Sequence, residues 1–143
     1  MREIPVADFL YEATVEIGPT VSLGVGPYGE RRIIDITGGE FKGPLLNGRV
    51  LPGGADRQLV RSDGVLLLDA LYELQVDDGT VLTVHNRVKV VHSPGMERRA
   101  FSHLDITAPA GPHAWLNAAV LVGTAYPRFP DRPAVRIRVF QLA

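Results

Sequence analysis

The chain has 143 residues, enough for one domain with a buried core. Its 15 Lys and Arg against 16 Asp and Glu leave a formal net charge of -1, which excludes the basic footprint of a nucleic-acid binder or of a patch drawn to anionic membrane. There is no cysteine, so disulfides, thiolate nucleophiles and thiolate metal sites are excluded together.

No apolar run nears the roughly 20 residues that a helix needs to span a bilayer. The start, Met1-Arg2-Glu3-Ile4-Pro5, lacks the charged-then-apolar pattern of a signal region, so the expected location is cytoplasmic. Low net charge on a chain that is 45% hydrophobic favours self-association and predicts a homodimer.

Taken in chain order, the hydrophobic period is close to two nearly everywhere. Ala13 to Ile17 alternates apolar with polar residues, the pattern of a half-buried strand. Gly18-Pro19 reads as a turn, and Thr20 to Val25 as the second strand of a hairpin. In Arg31 to Phe41, Arg32, Ile34 and Ile36 share one face, and Gly38-Gly39 reads as a bulge or sharp bend within a long strand. Asn47 to Leu51 is a short strand ending at Pro52, followed by a second glycine pair, Gly53-Gly54, that leads into Asp56.

Val65 to Val76 and Thr80 to Val91 flank Asp77-Asp78-Gly79, a tight hairpin turn. Ala70, Tyr72, Leu74 and Val76 share one face of the first strand, opposite Asp69, Leu71, Glu73 and Gln75. In the second, Leu82, Val84, Asn86, Val88 and Val90 line up against Thr83, His85, Arg87 and Lys89. A loop over His92 to Arg98 precedes a strand over Arg99 to Ile106, and Thr107 to His113 is a further loop. Trp115 to Thr124 has a helical composition, yet its strand neighbours argue for strand. Val135 to Phe140 closes the chain with clean alternation. Many strands joined by short turns give a sandwich or a barrel. An all-β, single-domain antiparallel barrel over residues 1–143 is preferred, because closure removes exposed edges.

The glycine-rich block then gains a second meaning. Arg32-Ile33-Ile34-Asp35-Ile36-Thr37-Gly38-Gly39-Glu40-Phe41, Gly43-Pro44, Gly48 and Pro52-Gly53-Gly54-Ala55-Asp56, followed by Asp63-Gly64, Leu68-Asp69-Ala70, Tyr72, Asp77-Asp78-Gly79 and Ala114-Trp115-Leu116-Asn117, resemble the domain-of-unknown-function 3237 family. The resemblance runs from about Leu23 to the C-terminus. It implies a lipocalin-like or allene-oxide-cyclase-like barrel with an internal apolar pocket, and it implies no reaction. Two departures stand out. The family commonly has Trp where this chain has Arg57. It also tends to have an aromatic-Arg pair and a Pro in the segment that here reads Arg99 to Asp105, which makes His103 a local novelty.

Asp56, Tyr72 and His103 are the expected catalytic residues. Asp56 serves as a general acid or base with its pKa raised by an apolar interior, or else its carboxylate accepts backbone N–H groups of the Gly-Gly turn. Tyr72 is catalytic or simply core, and its hydroxyl needs a partner in either case. Among His85, His92, His103 and His113, His103 is the acid–base candidate, against the reading of a solvated or structural imidazole. Asp35, Glu40, Arg61, Asp69, Asn86 and Trp115 are expected to bind the substrate. Asp69 is either inward and paired to an arginine or outward on the surface, and Asn86 either donates to a ligand carbonyl or makes an ordinary buried hydrogen bond.

No His-x-His or HExxH spacing supports a metal, and no Walker lysine follows Gly24-Val25-Gly26. Ser22, Ser62, Ser93 and Ser102 sit in no nucleophile elbow. The expected function is cofactor-free acid–base catalysis in a barrel pocket. It would isomerise, cyclise, or hydrate or eliminate a small apolar or aromatic metabolite. The alternatives are a carrier barrel and a barrel packed solid with side chains.

Overall fold

The computed structural model describes residues 2–143. Nine strands follow one another: β1 (Ala7–Gly26), β2 (Gly29–Lys42), β3 (Asn47–Val50), β4 (Ala55–Arg61), β5 (Leu66–Val76), β6 (Val81–Val91), β7 (Arg99–Thr107), β8 (Leu121–Pro127) and β9 (Ala134–Leu142). Among the described residues the one helical element is a 3-10 turn over Ala114–Ala118. All pairings are antiparallel, and they close on themselves. β1 bonds to β9 on one side and β2 on the other, and β9, β8, β7, β6 and β5 continue around the ring. From β5 the ring returns to β2 through β3 and β4, which lie end to end between them. β3 and β4 are thus two halves of a single position in a closed barrel, separated by the Pro52-Gly53 bend.

Two sequence expectations are corrected and one strand is added. Gly18-Pro19 makes no hairpin, because β1 runs straight through it and the turn to β2 comes at Pro27-Tyr28. The irregularity of that passage is absorbed as register shifts against β2 between Glu16 and Thr20. β4 had no counterpart in the periodicity, since its inward positions Asp56 and Gln58 are polar and invert the usual apolar-in pattern. The strand expected over Trp115 to Thr124 is instead the 3-10 turn followed by β8.

Gly38-Gly39 does form the expected bulge. Glu16 faces Gly38 while Ile17 faces Ile36, which leaves Thr37 without an opposite number. Gly39 has φ 129°, and a Cβ there would lie 1.9 Å from the Thr14 carbonyl oxygen, so glycine is required.

The two ends of the barrel differ. At one end, the β5–β6 hairpin and the β7–β8 connection meet, and the 3-10 turn folds beneath the core with Leu116 1% exposed. Asn117 holds that turn by bonding both the N–H and the carbonyl of Ala108, at 2.8 and 2.9 Å. A His113–Asp78 contact of 2.7 Å ties it to the hairpin. The lower barrel is packed solid with Tyr11, Phe41, Leu46, Leu74, Leu82 and Val139. The other end carries the β4–β5, β6–β7 and β8–β9 connections and is open. Among the described residues no helix is long and apolar enough to cross a membrane.

Candidate functional site

Inward side chains of neighbouring strands form rows across the barrel wall. One row runs Ile34, Asp56, Ala70, Asn86 and Leu104, from β2 through β4, β5 and β6 to β7. Asp56 and Asn86 are therefore two strands apart, about 10 Å at ordinary strand spacing, and the small residue between them, Ala70, leaves the gap unfilled. The result is a cavity of about 50 Å³ lined by Asp56, Ala70, Tyr72, Asn86 and apolar neighbours that include Ile17, Leu68 and Val135. Those last three residues also wall a wider cavity of about 590 Å³ toward the open end, with Leu66, Val90, Phe129, Gln58 and Arg98. Together the two make a mostly apolar funnel whose narrow floor carries Asp56, Tyr72 and Asn86 as its polar groups. A barrel filled solid with side chains does not match this upper half.

Gly54 sets the position of Asp56. A Cβ on Gly54 would stand 2.5 Å from the Tyr72 Cβ and 2.6 Å from the Leu71 carbonyl oxygen. Only glycine lets the β3–β4 bend lie this close to β5, and two residues later the chain delivers Asp56 opposite Ala70. The carboxylate accepts the Asp69 N–H at 2.9 Å and the Gln58 Nε2–H at 2.8 Å. The backbone donor thus comes from β5 and not from the Gly-Gly turn. Burial pushes the Asp56 pKa up. The two hydrogen bonds oppose the rise without cancelling it, and the charge of Asp69 adds to it.

Below Asp56 lie two buried phenols. Tyr72 and Tyr11 are 2% and 0% exposed, and neither hydroxyl has a hydrogen-bond partner. Burial raises both pKa values far above the ordinary one, with Asp56 adding to Tyr72 and Tyr72 to Tyr11. The shift favours the protonated phenols, a state in which Tyr72 can donate a hydrogen bond. Asn86, 2% exposed, has its Oδ1 unpartnered. An O–H or N–H of a ligand could fill that place, and the amide N–H groups of the same side chain remain able to donate to a ligand carbonyl. Unpaired polar atoms in an apolar wall are costly to leave so, and they mark where a ligand or water would bond.

The remaining expected residues lie elsewhere. His103 is exposed on the outer face of β7 opposite Arg87, because the period of two that turns Ser102 and Leu104 inward turns His103 outward. It borders an outer groove with Asp69 and Lys89. Asp69 is outward too, and its carboxylate contacts His85 Nε2 at 2.6 Å. Asp35 is exposed. Glu40 pairs with Arg132 at 3.1 Å, which also binds Glu16. Arg61 pairs with Asp63 beside the β4–β5 turn. Trp115 sits on the 3-10 turn at the closed end, remote from the mouth. Of the nine, Asp56, Tyr72 and Asn86 are brought together. Tyr11, Gln58 and Arg98 were missed. Tyr11 was discoverable, since it continues the inward alternation of Ala13 and Val15 by one step. Among the described residues no three His, Asp or Glu side chains group as metal ligands.

Comparison with known proteins extends this picture. The model of a family described as "Protein of unknown function (DUF3237)" matches residues 5–142. A UPF0311 protein of Rhodopseudomonas palustris (strain TIE-1) is 44% identical over 78 residues, which cover 54% of this chain and 51% of the relative. The match thus spans about half the length of that relative. The crystal structure of a beta-barrel like protein from Acinetobacter baumannii AYE superposes with a TM-score of 0.91 at 28% identity, covering 100% of this chain and 99% of that one. That of an enzyme from Penicillium herquei superposes with a TM-score of 0.79 at 23% identity, covering 100% and 98%, a likeness of fold alone.

Proposed function

The chain belongs to the DUF3237 family of proteins of unknown function, and within it we propose that this protein is a cofactor-independent enzyme that moves a proton on a small, largely apolar or aromatic metabolite held in the barrel. The observation that carries this reading is the funnel floor, where a carboxyl with raised pKa, an unpartnered phenol and an unpartnered amide oxygen converge on one cavity. A carboxyl poised nearer neutrality both gives and takes a proton efficiently. Tyr72 donates a hydrogen bond to the substrate oxygen on which negative charge builds, and Asn86 accepts from a substrate hydroxyl. Asp56 then removes a proton beside that polarised group and returns one at a second position, which is an isomerisation. Where Asp56 instead takes the O–H proton of an internal hydroxyl as that oxygen adds to a carbon–carbon double bond conjugated with the polarised group, and returns the proton to the neighbouring carbon, the outcome is cyclisation; with water in place of the hydroxyl it is hydration. Each leaves the enzyme in its starting state, so no redox partner is consumed. The same fold in an enzyme from Penicillium herquei is compatible with catalysis.

The test is solvent deuterium incorporation into 1-tetralone, an enolisable aryl ketone, with affinity measured alongside. The wild type accelerates exchange over buffer, and Asp56→Asn binds the ketone with similar affinity while losing roughly 100- to 10,000-fold of the acceleration. Binding without any exchange in the wild type would assign a carrier instead. Equal exchange by wild type and variant would remove Asp56 from the chemistry.

A further inference from the structure

The wide mouth of the funnel is lined almost wholly by apolar side chains, and its one charged residue is Arg98. Arg98 lies at the end of the β6–β7 loop and is half-buried. One guanidinium N–H, on Nη1, donates to the Ala125 carbonyl on β8 at 2.9 Å and fixes the head against the barrel rim. Among the described residues no carboxylate forms an ion pair with it, a state it shares with several surface arginines, but of these it is the one that lines this cavity. A guanidinium has five donors in a planar fork suited to a carboxylate, and only one is occupied by a protein acceptor here. An unpaired cation beside an apolar cavity gains most from an anion that arrives with the ligand.

We propose that Arg98 is the specificity-determining residue of the mouth and that the substrate is an apolar or aromatic carboxylate, its anionic end held by Arg98 and its apolar body extending to the Asp56–Tyr72–Asn86 floor. This rests on the reading of the funnel as the substrate site. Charge placement fixes the orientation of the ligand. A carboxylate at the floor would face the Asp56 carboxyl across a narrow, mostly apolar cavity, a like-charge contact at reduced dielectric. At the mouth it meets the only cation in the lining. The substrate therefore enters body first, and the atoms that react belong to the end remote from its carboxylate. A neutral analogue of the same shape fills the funnel without that anchor.

The experiment compares 2-naphthoate with 2-naphthamide, two probes of nearly one shape that differ by a charge. Each is titrated calorimetrically at neutral pH into the wild type, Arg98→Gln and Arg98→Lys. The wild type is expected to bind the naphthoate roughly tenfold more tightly than the amide. Arg98→Gln removes the charge and, being two bonds shorter, the bond to the Ala125 carbonyl; it should abolish that preference while the amide is still bound. Arg98→Lys should restore part of it, and added salt should weaken only the naphthoate. Equal naphthoate affinity in the wild type and Arg98→Gln, with the amide still bound, would overturn the role of Arg98 and leave the funnel reading standing. Failure of both probes to bind the wild type would overturn the two together.

Discussion

Asp56 is the residue at which folding and chemistry pull in opposite directions. Its pKa is raised in the folded chain, so between the ordinary aspartate value and the raised one the native state binds more protons than the unfolded state. Stability therefore falls as pH rises through that window and stays at its lower level above it. Asp56→Asn removes the penalty. The amide oxygen of the substituted side chain still accepts the Asp69 N–H, and Gln58 can turn its own amide to accept from the new NH2 group. The variant should melt above the wild type at neutral pH, and the difference should shrink toward acid pH. Tyr72 follows a related rule. Its hydroxyl is buried without a partner, so Tyr72→Phe should leave thermal stability unchanged or slightly raised, while affinity for 1-tetralone drops roughly tenfold. A clear loss of stability would mean that the hydroxyl has a structural partner and does not wait for a ligand.

At the scale of elements, the β3–β4 bend is what gives the β-barrel wall its candidate site. Gly54 touches the backbone of β5, and Asp56 depends on that contact for its place. Gly54→Ala should cost about 1–3 kcal/mol, as overpacking does, and should weaken 1-tetralone binding. Denaturant titration and calorimetry would check both, and an unchanged stability would show that the bend has room to give. The legibility of the sequence varied element by element for physical reasons. β5, β6 and β9 were plain because one face is apolar and the other is solvated. β4 was hidden because it presents Asp56 and Gln58 to the interior, and the inward polar residues that place it in the candidate site are the ones that break the strand pattern. Gly18-Pro19 looked like a turn because those residues usually bend the chain, yet pairing with β2 and the bulge at Gly38-Gly39 carry β1 through. His103 was named for its chemistry, and strand parity places it outside.

The whole molecule is a barrel filled at one end and hollow at the other. Large side chains and the 3-10 turn close the lower half, so the upper half can leave Ala70 small and keep its polar atoms unpaired without losing the fold. Leu116→Ala, in the plug, should cost about 2–5 kcal/mol and yet leave 1-tetralone affinity intact in the folded protein. A large loss of affinity would show that the two halves are coupled. The family resemblance indicated the barrel and its pocket from sequence, whereas the funnel axis and Arg98 needed the closed ring to bring distant strands together. The proposed proton chemistry depends on one property, a carboxyl that keeps its proton to higher pH than an ordinary aspartate. A carbon-13 NMR titration of the Asp56 side-chain carboxyl, assigned by its disappearance in Asp56→Asn, measures this directly. A midpoint above the ordinary aspartate value is predicted, and a midpoint at or below it would contradict the assignment of Asp56 as the proton carrier.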